Sequence, residues 1–165
     1  DKIDDSPIEG GTWAVMNGCA TDYCGVGLHV KGEHTLSVSG GSFWDHHQGL
    51  VVDGEKARVR LGTSELRSNG SPAVEVHAAD HVVVTGCSLI RKMEEFEAPA
   101  VHLRGGGAVI ASNVIQADGA GIVVESDCEA PMLEGNLIQS ATDTPVAWSS
   151  SENEAGEGTE DRPED

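Results

Sequence analysis

A pair of apolar residues spaced two apart recurs at Leu28/Val30, Leu50/Val52, Val74/Val76, Val101/Leu103, Ile122/Val124 and Val146/Trp148, at steps of 22, 24, 27, 21 and 24 residues. A small residue or Pro leads into each pair: Gly27, Gly49, Ala73, Ala100, Gly121 and Pro145. Alternation of this kind belongs to a β-strand with one buried face. A unit of roughly 23 residues cannot bury its own apolar side, so it must stack on copies of itself.

A second block follows each of the first five pairs. It reads Leu36-x-Val38 then Phe43, Val59-x-Leu61 then Leu66, Val82-x-Val84 then Leu89, Ala108-x-Ile110 then Ile115, and Met132-Leu133 then Ile138. The last step spans five residues every time, from Val38 to Phe43 through Leu133 to Ile138. Between the blocks lie small or polar pairs: Gly40-Gly41, Thr63-Ser64, Gly86-Cys87, Ser112-Asn113 and Gly135-Asn136. Such residues suit tight bends, where Gly and Asn accept left-handed backbone angles. No segment sustains a helical period. The most helix-like stretch, Arg91 to Glu97, reads as a loop inserted in the longest unit.

The Gly-apolar-x-apolar starts, with the SNVI and GNLI steps at 112–115 and 135–138, resemble the right-handed single-stranded parallel β-helix of the pectin-lyase-like class. The resemblance runs from about residue 12 to 148 and implies an all-β solenoid of about six coils. It is specific for fold and not for activity, because that class holds polysaccharide lyases, hydrolases and epimerases, phage tailspikes and non-enzymatic repeats. An antiparallel sandwich is the main alternative. It has no reason to repeat a fixed five-residue step, and the Asn-Gly hairpin turns it favours are scarce. Six coils are few for the class and no amphipathic capping helix is visible, so the chain reads as a fragment or degenerate member of a longer protein.

Charge is unevenly spread. The chain carries 10 Lys and Arg against 28 Asp and Glu, a net of −18. Residues 149–165 hold seven acids, one Arg and nothing aliphatic larger than Ala, so this acidic tail is expected to be disordered. Residues 1–10 form a second charged extension, leaving 11–148 as the β-helix body. A chain this acidic is a poor partner for nucleic acid or for an anionic membrane. No apolar run approaches the ~20 residues needed to span a bilayer. Cys19, Cys24, Cys87 and Cys128 do not make a dense disulfide scaffold, so reduced thiols and an intracellular setting are expected.

With the apolar pairs facing inward, the first strand of each coil turns Asp53, Glu75, His77, His102, Arg104 and Glu125 outward. Asp53, His77 and Arg104 are expected in one vertical line ending at Glu125, with Glu75 and His102 in the next. Carboxylates and imidazoles held a few Å apart on a rigid frame can do acid–base work on a sugar. The resemblance implies a groove on this face, whereas ordinary strand pairing explains the same charges. A second candidate is Trp44-Asp45-His46-His47, expected in a turn, where an aromatic ring and polar groups can meet a ligand. Cys19, Cys24, His29 and His34 have the composition of a zinc site but not its spacing, so no metal is expected. No phosphate-binding loop, dinucleotide fingerprint or serine-hydrolase elbow occurs, and no cofactor is expected.

These residues lead to a non-enzymatic repeat scaffold that binds a protein or a glycan. The alternative is a carbohydrate-active enzyme, a lyase, hydrolase or epimerase, with its site on Asp53, Glu75, His77, His102 and Arg104. A net charge of −18 weighs against a polyuronate substrate.

Overall fold

A computed structural model describes residues 11–91 and 98–149, and these form a parallel β-solenoid of six coils with no helix. The acidic stretches at 1–10 and 150–165, and positions 92–97 of the expected loop, lie outside the described residues. Each coil contributes three short strands. The first has β1 (Trp13–Asn17), β2 (Ala20–Asp22) and β3 (Val26–Lys31); the second has β4 (Thr35–Ser39), β5 (Ser42–His46) and β6 (Gln48–Asp53). The third has β7 (Arg58–Gly62), β8 (Glu65–Ser68) and β9 (Val74–Ala78), and the fourth β10 (His81–Thr85), β11 (Ser88–Arg91) and β12 (Val101–Leu103). The fifth has β13 (Gly106–Ala111), β14 (Val114–Ala117) and β15 (Ile122–Val124), and the sixth β16 (Cys128–Met132), β17 (Leu137–Ser140) and β18 (Val146–Trp148). Every third strand pairs in parallel. This makes three six-stranded sheets: sheet A begins with β1, sheet B with β2 and sheet C with β3.

The repeat spacings are the register of these sheets. Leu28, Leu50, Val74, Val101, Ile122 and Val146 stand opposite one another along sheet C. Phe43, Leu66, Leu89, Ile115 and Ile138 do the same along sheet B. With Val38, Leu61, Val84 and Ile110 of sheet A they close one continuous core. The last coil departs from the pattern. A bulge between Gly107 and Val109 sets Met132 opposite Val109, so Met132 points out and only Leu133 packs inward.

The A-to-B bend is built the same way in all six coils. Its first residue is left-handed each time: Gly18, Gly40, Thr63, Gly86, Ser112 and Gly135, with φ between 47° and 65°. That backbone angle is why small or polar residues recur there. From the third coil on, at Ser64, Cys87, Asn113 and Asn136, the second residue turns inward and bonds a neighbouring coil. Ser64 Oγ accepts the Gly41 N–H (3.0 Å) and donates to the Gly62 carbonyl (2.9 Å). Asn113 accepts the Cys87 N–H (2.9 Å) and donates to the Val84 carbonyl (2.9 Å) and to Asn136 Oδ1 (3.0 Å). Asn136 in turn donates to the Ile110 carbonyl (2.7 Å). Cys87 is the buried small member of this stack, and burial pushes its thiol pKa up. All four cysteines are free thiols.

The B-to-C corner differs from expectation. Asp45, at φ 51°, introduces a slip between Phe43 and His46. A one-residue slip reverses the side on which the following side chain falls. His46 therefore points into the core, opposite Ser68. Arg91 is not the start of a loop but the last residue of β11, and its side chain is fully buried. Its guanidinium donates to the Gly70 carbonyl (3.1 Å) and to Asp118 (3.4 Å).

Candidate functional site

The outward face of sheet C gathers most of the acid, base and imidazole groups expected there, around Glu75. This side chain points away from the core on β9, yet the residue is only 5% exposed. Its Oε2 accepts from Gln48 Nε2 on β6 (2.9 Å). Its Oε1 accepts from Arg104 Nε (3.1 Å), with Arg104 Nη2 also at 3.1 Å. His77 Nε2 stands 3.6 Å from the same oxygen. Arg104 then reaches Glu125 Oε1 through Nη1 (3.2 Å), and that oxygen also accepts from His102 Nε2 (2.7 Å). A carboxylate can only accept, so the Nε2 of His102 carries its proton. Five residues thus form one chain of contacts across three coils, with Gln48 anchoring its end.

Two features depart from the sequence reading. Glu75 faces outward as expected, in line with His102, yet it is covered rather than exposed, and it is bonded on both oxygens. Asp53 does not join the line, because the β6–β9 register slips after Val52 and sets Asp53 opposite Ala78 in place of His77. Gln48 went unnoticed in the sequence, since nothing marks a Gln at a strand start as a partner for a residue 27 positions on.

Burial pushes the His102 pKa below its ordinary value of 6.5, and the Arg104 charge pushes it the same way, against the opposing pull of Glu125 and Glu75. The linkage sign follows from proton uptake. The unfolded chain takes up this proton at about pH 6.5 and the folded chain only at lower pH. Stability held by neutral His102 is therefore present above about pH 6.5 and lost progressively as pH falls from there through the lower folded value. Urea denaturation at pH 7.5 and 5.5 should show a smaller acid loss for His102→Gln than for wild type. Equal losses would assign the acid sensitivity to other groups.

The second candidate separates into unlike parts. His46 is fully buried, its Nδ1 accepting the Cys24 N–H (2.9 Å) and its Nε2 bonded with Thr21 Oγ1 (3.0 Å). Both ring nitrogens are used inside the fold, so His46 is a bend residue and not a surface ligand. Asp45 accepts from Asn69 Nδ2 (3.2 Å), His47 lies on the surface beside Ser71 (3.4 Å), and Trp44 is exposed on sheet B. Among the described residues no group of three or more His, Cys, Asp or Glu side chains is arranged to hold a metal ion. Among the same residues no helix is long and apolar enough to cross a membrane.

Fold and face together define a parallel β-solenoid with an ordered polar network on one sheet. Comparison with protein-family models, curated proteins and solved structures finds no match.

Proposed function

We propose that this chain is a non-enzymatic β-solenoid repeat scaffold of the pectin-lyase-like kind, binding a protein or glycan on the outward face of sheet C. The observation that carries this reading is the engagement of Glu75, the central carboxylate, on both oxygens. Acid–base chemistry on a sugar needs a carboxylate free to meet the reacting atoms. Glu75 is covered and has both oxygens engaged, and the nearer Glu125 oxygen serves His102 and Arg104 at once. A pre-ordered array of half-exposed head groups suits recognition, because little side-chain freedom remains to be lost on binding. His77, Arg104 and Glu125 present such heads. The enzymatic alternative requires this network to open.

The test is a panel of neutral and acidic glycans assayed for binding and for product, with cross-linking capture of protein partners alongside. The scaffold reading expects binding or capture that falls about tenfold in Arg104→Gln, with no product formed. Cleaved, unsaturated or epimerised glycan that disappears in His102→Gln would instead establish the enzyme.

A further inference from the structure

The chain holds two Asn-Gly pairs, Asn17-Gly18 and Asn69-Gly70, and the solenoid treats them differently. Asn17 is the last residue of β1 and stands opposite Ser39. The Gly18 N–H donates to the Ser39 carbonyl (3.0 Å), so the nitrogen that follows Asn17 is tied into sheet A. Asn69 lies outside the strands, in the B-to-C corner between β8 and β9, and is half-buried. Its own N–H donates to the His46 carbonyl (2.8 Å), and the Ser71 N–H donates to the His47 carbonyl (2.8 Å). The Gly70 N–H between them has no hydrogen-bond partner among the described residues. Position 70 is also closed to a side chain, since a Cβ there would stand 2.0 Å from His47 Nδ1. Corner packing thus keeps the least hindered residue type after Asn69, with its nitrogen unbonded.

A Gly nitrogen that follows Asn can attack the Asn side-chain carbonyl. No side chain screens it, and the reaction is intramolecular, so no second molecule has to be positioned. The bond between Gly70 N and Asn69 Cγ forms, the Cγ–Nδ2 bond breaks, and ammonia leaves with the Gly70 amide proton. Water then opens the cyclic imide. Opening at Cγ leaves an aspartate. Opening at the main-chain carbonyl leaves an isoaspartate, in which the chain runs on through Cγ. The balance is one water taken up and one ammonia released, with no oxidation or reduction.

The corner turns this change into a structural one. Asn69 Nδ2 donates to Asp45 Oδ1 (3.2 Å), and Asp45 is the left-handed residue whose slip sends His46 into the core. A carboxylate at position 69 cannot donate, and it faces a second carboxylate instead. The Gly70 carbonyl, next along the chain, accepts from the buried Arg91 guanidinium (3.1 Å). An isoaspartyl link adds a main-chain atom just ahead of that carbonyl. We infer that Asn69 is a self-modification site, where the chain, with water as its sole co-reactant, passes into aspartate and isoaspartate forms that loosen the B-to-C corner. The inference does not rest on the role of sheet C.

Peptide mapping by mass spectrometry, on the full chain held in mildly alkaline buffer at body temperature, tests the proposal. The peptide containing Asn69 should gain the mass difference between an amide and an acid and split into two chromatographic forms. Its rate should exceed that at Asn17 by at least about tenfold, the effect of one hydrogen bond on a barrier. Asn69→Gln should stay unmodified at this position over the same time, because its longer side chain closes a larger, slower-forming ring. Asn69→Asp should lower the melting temperature by about 3 °C. Adding Asp45→Asn to that variant should restore part of the loss, since it removes the like charge. An Asn69 that stays intact, or that reacts no faster than Asn17, would overturn the inference. So would an Asn69→Asp chain as stable as wild type, because the corner would then absorb the change without loosening.

Discussion

Asn113→Ala should destabilise the protein by about 3 kcal/mol, measured as a shift of the urea unfolding midpoint at unchanged slope. The side chain is 1% exposed and joins three coils through one acceptor and one amide. Removing it leaves the Cys87 N–H and the Val84 carbonyl buried without their partner, and each such loss costs about 1–3 kcal/mol. The solenoid itself offers the control. Ser64 occupies the equivalent bend position and satisfies a neighbouring N–H with a hydroxyl, so Asn113→Ser should recover part of the loss. If Ala and Ser prove equally harmless, the stack of bend residues contributes nothing to stability and the coils are held by apolar rows alone.

Glu75→Ala should cost about 2–3 kcal/mol, a large penalty for a residue on an outward sheet face. The cost arises because Gln48 and Arg104 lose their acceptor at a covered site. It stays below the full value for a buried pair because the Arg104 side chain is 41% exposed and water can take it back. Glu75→Gln, which keeps the shape and one acceptor, should cost less. His77→Ala should fall within about 0.5 kcal/mol of wild type, since that ring only approaches Glu75 at the surface. Thermal or urea unfolding of the three variants reads the order directly. A Glu75→Ala protein as stable as His77→Ala would show that the network is ornamental to folding. Glu75 is for this reason a poor choice for probing binding alone, whereas Arg104 and His77 perturb the surface with less damage beneath it.

What was legible in the sequence is what a short period writes there. Period-2 alternation marked the inward row from Leu28 to Val146, because a strand has only two faces and one is dry, and the constant five-residue step marked the row from Phe43 to Ile138. The fixed five-residue step marked the A-to-B bend, because one left-handed residue per coil demands Gly or a small polar substitute at a constant place. The outward direction of Glu75, His102 and Arg104 followed from the same alternation.

The tertiary structure decided the rest, wherever one residue's slip or a neighbour a whole coil away sets the outcome. Asp45 reads as an ordinary turn residue, yet its left-handed angle turns His46 from the surface into the core. Arg91 reads as the polar start of a loop, and it ends a strand with a buried guanidinium because Gly70 and Asp118 stand beside it. Asp53 leaves the polar line through a single bulge. Glu75 is covered by Gln48, 27 positions before it, and by Arg104, 29 positions after it. Alternation reports which way a side chain points, a property of its own strand. Burial and bonding depend on what adjoining coils place about 4.8 Å above and below it, which no local pattern records.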